Sequence, residues 1–168
     1  MEMTNNRCAF EHYEGNTSEL VAYEDITGHL IFDVKLSENF RRKARFFADG
    51  HLVETPASIM YITLVSRDSV RILLLASALN DLDVMGADVQ KASLSADNLE
   101  KQWIRAGPEF GAEQGNVFIV VRALYILKSA SAAFRSFMAN KLDEIGLKSS
   151  PADPDMWLRP AIKRDGEE

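Results

Sequence analysis

The stretch "SRDSVRILLLASALNDLDVMGADVQKASLS", Ser66 to Ser95, decides how the rest of the chain is read. Ser66 has the side chain of a helix N-cap, and Asp68 falls in the first turn, where a carboxylate meets the positive end of the helix macrodipole. Val70, Leu73, Leu74 and Ala78 lie on one helical stripe, and Ile72, Leu75, Ala76 and Leu79 on another. A helix apolar on most of its circumference is expected to be buried. "LDVMGADV" is short and carries two β-branched residues, which predicts a buried strand ending at Asp88. A strand-end acid either caps a turn and faces water, or projects into a cleft as a metal ligand.

The flanking sequence predicts more strand than helix. "HLIFDVKL" (29–36) and "ARFFADGHLV" (44–53) are strand-like, with turn chemistry between them and at Asp49-Gly50, and a hairpin there would carry the basic cluster "RRKAR" near its tip. "SADNLEK" (95–101) predicts a short helix with Ser95 as its cap. "KQWIRAG" (101–107) reads as a strand ended by Gly107-Pro108. "VFIVVRALYIL" (117–127) is a β-branched run suited to a sheet. "SASAAFRSFMANKLDEIG" places Ala130, Phe134, Phe137, Met138, Leu142 and Ile145 on one helical face, with Gly146 as the C-terminal cap, and a short strand is expected around Met156 to Leu158. The order predicts an α+β fold: a mixed, largely antiparallel sheet backed by helices, with its other face open to a ligand or partner. Residues 1–28 show neither alternation nor helical period and read as an acidic leader or linker, which leaves 29–168 as the folded domain.

The 168 residues carry a net charge of −6, which argues against nucleic acid as a partner until its distribution is considered. Residues 1–28 hold six acids against Arg7 alone, whereas 29–60 hold five basic residues, four of them in Arg41 to Arg45. A second basic island spans 101–140. The basic cluster is either a solvated edge or a phosphate contact. No run approaches the roughly 20 apolar residues that span a bilayer, and the N-terminus lacks the order of a signal peptide, so an intracellular, cytoplasmic protein without a membrane partner is expected. The lone Cys8 and the scattered His12, His29 and His51 do not form a zinc pattern. No glycine-rich phosphate loop, G-x-S-x-G elbow or His-Glu-x-x-His motif is present. Mg²⁺ is a hard ion that prefers oxygen ligands, and two-ion sites need several converging carboxylates. Asp81 and Asp83 read as turn residues, and the chain contains no Asp-Asp pair.

Four collinear segments resemble one family. "NFRRKARFFADGH", "VSRDSVRILLLASALNDLDVMGAD", "GADVQKASLSADNLEKQWIRAGPEFG" and "VVRALYILKSASAAFRSFMANKLDEIGLKSSPADPDMWLRP" are similar, in this order, to segments of Ty1/copia-type retrotransposon reverse transcriptases, over about Ile31 to Pro160. The resemblance implies a fingers and palm portion of an RNA-directed DNA polymerase. In it, Asp88 would be the first metal-binding aspartate and the Val89 carbonyl would help hold Mg²⁺. Lys43 and Arg45 would lie near the triphosphate of an incoming dNTP, where cations offset phosphate charge. Arg41 and Arg42 would touch the RNA or DNA template and primer. Tyr125 and Lys128 would sit near nucleotide and template, against their plainer readings as a core aromatic and a solvated first-turn residue.

The departures from the family are as informative. Ser93 stands where the family has an aromatic under the nucleotide sugar, and Ile126 replaces a glycine. The family's Tyr-Val-Asp-Asp hairpin would follow "ADPDMWLRP", and Glu168 comes before it. The expectation is therefore a truncated copy that is inactive alone, with a non-catalytic nucleic-acid-binding remnant or a decayed element without selected function as the alternatives.

Overall fold

The computed structural model describes residues 9–36, 39–49, 64–125 and 127–160. Within them, strands β1 (Phe10–Tyr13), β2 (Glu24–Asp25), β3 (Gly28–Lys35), β4 (Arg41–Ala48), helix α1 (Arg67–Leu79), strands β5 (Gln102–Arg105) and β6 (Val117–Val120), helix α2 (Ala130–Glu144), and strands β7 (Lys148–Ser149) and β8 (Trp157–Leu158) follow in order. The protein is mixed α+β with sheets that are mostly antiparallel, as the element order predicts. The chain forms two compact units, Met1–Met60 with Lys91–Arg135, and Tyr61–Gln90 with Ser136–Glu168.

The first unit holds a four-stranded sheet in the order β1-β6-β5-β2. β1 pairs with β6 and β5 with β6, both antiparallel, while β2 pairs parallel with β5. The segment with a linker's composition thus supplies both edge strands, and Ala9, Leu20 and Ile26 in it are buried. Strands of four and two residues are too short to display alternation, and their partners lie about 80 to 110 residues away, which is why composition misses them. β3 and β4 form the expected hairpin in full register from Gly28 opposite Ala48 to Lys35 opposite Arg41. Its turn carries Asn39 and Phe40 with φ of 54° and 57°, a left-handed conformation that costs a non-glycine residue about 1 kcal/mol. The sequence reading of a strand at residues 50–53 lies outside the described residues.

Aromatic side chains join hairpin to sheet. Phe46 of β4, Phe10 of β1 and Phe110, in the turn Pro108–Glu113, meet pairwise edge to face with ring centroids 5.6–5.7 Å apart, and Phe118 stacks on Phe110 at 5.7 Å. Such geometry sets the positive ring edge against the negative ring face. A second cluster packs Leu20, Trp103 and Val117 with Tyr13, Tyr23 and Ile119.

In the second unit α1 starts where the sequence places it, with Ser66 Oγ accepting the Ser69 N–H at 2.9 Å and Asp68 in the first turn. Two expectations fail here. α1 is not a buried helix: Ile72, Leu73, Leu74, Leu75 and Leu79 are all exposed, and Ser77 is its buried residue. Helical periodicity shows which residues could be buried together, but it does not supply the layer that buries them. "LDVMGADV" is not a strand either. Residues 82–89 have no regular structure and are exposed, between Asp81 and Lys91, both at φ of 54°. No described strand pairs with them, and an unpaired strand gains none of the ladder bonds that would hold it extended.

"SADNLEK" also departs from its reading. A 3-10 turn occupies Ser93–Ser95 instead of a helix after Ser95, and Asp97 enters an isolated antiparallel bridge with Arg122. α2 ends as its glycine predicts, Gly146 at φ 84°, with Leu147 N–H donating to the Leu142 carbonyl at 3.0 Å, the Schellman arrangement. β7 and β8 form a small antiparallel pair that includes the expected terminal strand.

Candidate functional site

β4 gathers the basic residues because a strand turns alternate side chains to opposite faces. Arg41, Lys43, Arg45 and Phe47 share one face, with Lys35, Asp33, Ile31 and His29 opposite them on β3. Residues two apart on a strand are roughly 6.5–7 Å apart, so the three cations form a row about 13 Å long. Lys43 stands opposite Asp33, a favourable pairing, whereas Arg41 stands opposite Lys35, which places like charges side by side at the turn end of the hairpin. Arg42 lies on the other face with Ala44 and Phe46. Arg41 and Arg42 are exposed and Lys43 and Arg45 half-buried.

Aromatic rings close the inner end of that row. His29 stacks on Phe47 with centroids 6.4 Å apart and planes at 21°, and Tyr125 lies against Phe47 at 6.3 Å and 38°. The Ala48 N–H donates to the Tyr125 carbonyl at 3.4 Å, which fastens the Tyr125 turn beside the end of β4. His29 is held in turn: its Nδ1 lies 3.1 Å from Asp49 Oδ1, and Thr27 Oγ1 donates to Asp49 Oδ2 at 2.6 Å. The His29, Asp49 and Thr27 group carries no signal in sequence order. It forms only because the hairpin register returns residue 49 to residue 27.

The structure therefore sets Lys43 and Arg45 on one hairpin face and Tyr125 against Phe47 at the inner end of that row. Lys128 is half-buried in the turn before α2, and Ile126 lies outside the described residues. Ser93 opens its 3-10 turn with its Oγ buried and without a hydrogen-bond partner, while its carbonyl accepts from Ala96 N–H at 3.0 Å. Asp88 and Val89 belong to the second unit, in the exposed segment 82–89. Among the described residues no group of three or more His, Cys, Asp or Glu is placed to hold a metal ion. Asp88 is the one carboxylate that the resemblance assigns to Mg²⁺.

Asp153 is the residue that sequence reading passed over. It is buried, its Oδ2 accepts the Ser66 N–H at 3.0 Å and the Ser69 hydroxyl at 2.5 Å, and its Oδ1 accepts the Asp155 N–H at 3.1 Å. The Ser69 hydrogen bond, then that from the Ser66 backbone, holds its carboxyl below the ordinary carboxylate value. The "ADPD" turn thus caps the start of α1 from across the second unit.

Chemically, the hairpin face offers fixed positive charge beside stacked rings, which suits an anion attached to a planar group. Among the described residues no helix is long and apolar enough to cross a membrane. No protein-family model, curated protein or solved structure matches the chain.

Proposed function

We propose that the chain is a fingers and palm portion of a Ty1/copia-type RNA-directed DNA polymerase whose hairpin face contacts phosphates of nucleotide or template and primer. The observation that carries the reading is the row of Lys43 and Arg45 on one face of β3 and β4, with Tyr125 against Phe47 at its inner end. The four collinear motif resemblances imply a position near the nucleotide for the same three residues. Cations two residues apart along a strand, roughly 7 Å, suit the repeated phosphates of a nucleic-acid backbone.

These 168 residues do not catalyse polymerisation by themselves on this reading. Nucleotidyl transfer needs two Mg²⁺ ions to stabilise the attacking primer 3′-hydroxyl and the leaving pyrophosphate, and several carboxylates to hold them. The sequence holds Asp88 and no Asp-Asp pair. Asp88 would hold one ion through its carboxylate and Val89 through its carbonyl, once further acids joined them.

Primer extension and binding test the two halves. The purified chain is expected to give no Mg²⁺-dependent incorporation, and robust incorporation lost in Asp88→Asn would overturn the claim of inactivity. Binding to a template and primer duplex is expected to weaken with salt and with Lys43→Ala plus Arg45→Ala. Binding that ignores both would remove the nucleic-acid reading.

A further inference from the structure

Helix α1 carries an apolar stripe that the chain leaves bare. Ser77 is the buried residue of the helix, so its side marks the covered face. Ile72, Leu75 and Leu79 lie about 140–160° round the helix from Ser77, on the far side. They are 64%, 60% and 76% exposed, against 40%, 51% and 48% for Val70, Leu73 and Leu74 on the side of Ser77. Leu82 extends the stripe. Its N–H donates to the Ser77 carbonyl at 2.9 Å, which holds it at the end of the helix, and it is 61% exposed. A contiguous apolar surface of this kind marks an interaction site.

The spacing identifies the occupant. Positions 72, 75, 79 and 82 step by three, four and three residues, the a and d positions of a heptad, which suit a second helix laid alongside the first. Ala76 and Ala78 flank the stripe, and small flanks let two helix axes approach closely. A lipid surface would favour Lys and Arg in those flanking places. Pairing the same stripe of two copies is isologous and closes on a two-fold axis.

Charge sets the direction of that pairing. Arg67 and Arg71 stand in the first half of α1 with Asp68, and Asp81 and Asp83 follow its end. Antiparallel pairing sets Ile72 against Leu82 of the other copy and Leu75 against Leu79 of the other copy. It also brings the end that bears Arg67 and Arg71 to the end that bears Asp81 and Asp83, and it opposes the helix macrodipoles. Parallel pairing would set each charged end beside its like. Arg71 lies 3.4 Å from Asp68 in an exposed pair within its own helix, and such a pair costs little to give up.

We propose that α1 is a self-association surface, through which two copies of the chain pair antiparallel on Ile72, Leu75, Leu79 and Leu82. The proposal does not depend on the polymerase reading. A seam of four leucine-sized side chains is smaller than the roughly 800 Å² per partner of a standard interface, so association is expected in the micromolar range.

Analytical ultracentrifugation of the full chain over a concentration series, without added nucleic acid, tests it. Wild type is expected to pass from monomer to dimer and no further. Leu75→Glu with Leu79→Glu should raise the dissociation constant at least about tenfold. Both side chains are largely exposed, so the circular dichroism spectrum should not change. Arg71→Asp or Asp83→Arg alone should weaken the dimer, and the two changes in one chain should restore it. Lys43→Ala with Arg45→Ala, on the hairpin, should leave it unchanged. A chain that stays monomeric throughout the series overturns the proposal. So does a dimer indifferent to the Leu pair, growth into larger assemblies, or binding of monomeric chain to phosphatidylserine vesicles that depends on Leu75 and Leu79. Single charge changes that leave the dimer unaffected overturn the antiparallel arrangement.

Discussion

The carboxylate of Asp153 accepts the hydroxyl of Ser69 at 2.5 Å, so a residue 84 positions along the chain closes the first turn of α1. Ser66 and Ser69 satisfy each other in the familiar capping manner, and Asp153 adds an ionised acceptor for the Ser66 N–H. The anchor belongs wholly to the second unit.

Asp153→Asn should lower the unfolding midpoint of the second unit, because an amide is a weaker acceptor than a carboxylate for these donors. The pH dependence has a definite sign. A carboxyl whose value is lowered on folding adds stability that is present in full above the ordinary value of 3.8 and is lost as pH falls through the lowered value. The difference between wild type and Asp153→Asn should therefore shrink on acidification below about pH 3.8. Thermal melting at several pH values checks it, and a gap that stays constant to low pH would contradict the ionised cap.

Phe46→Ala should cost about 3–5 kcal/mol, since it removes the ring that joins the hairpin to Phe10 and Phe110. Phe32→Ala, one of the exposed residues of the same hairpin, should stay within about 0.5 kcal/mol. Urea denaturation of the two variants measures the contrast. Similar losses would mean that the covered and bare ends of that face are misassigned.

Gly28→Ala should destabilise the hairpin by about 1–3 kcal/mol through overpacking. A Cβ at residue 28 would lie 2.5 Å from the Phe46 ring and 2.8 Å from the Phe47 carbonyl oxygen, and the backbone oxygen cannot swing aside as a side chain can. A melting temperature unchanged from wild type would show that the register opposite Ala48 has room to relax.

Lys43→Ala with Arg45→Ala should reduce the slope of log affinity against log salt on duplex by about 0.9 for each phosphate that is no longer neutralised. Arg42→Ala, on the opposite face, should leave duplex affinity less affected than that pair does. Fluorescence anisotropy over a salt series reads both, and equal effects would show that charge alone, without the face, decides binding.

Asp88→Asn should leave stability within about 0.5 kcal/mol, because Asp88 is exposed in a segment without regular structure. A marked drop in melting temperature would mean that the acid has a packed partner.

What could be read without coordinates was what local chemistry decides. Ser66 and Asp68 mark the start of a helix, Gly146 marks the end of another, and the strand-like runs at 29–36 and 44–53 with turn chemistry between them mark a hairpin, because caps and turns are written within a few residues. The tertiary structure decided everything that depends on a distant partner. It decided that α1 and residues 82–89 stay exposed, that Phe10–Tyr13 and Glu24–Asp25 become sheet edges, that Tyr125 lies against Phe47, and that Asp153 reaches Ser69. Apolar periodicity states what a segment can bury, and only the arrangement of other segments determines whether anything is there to bury it.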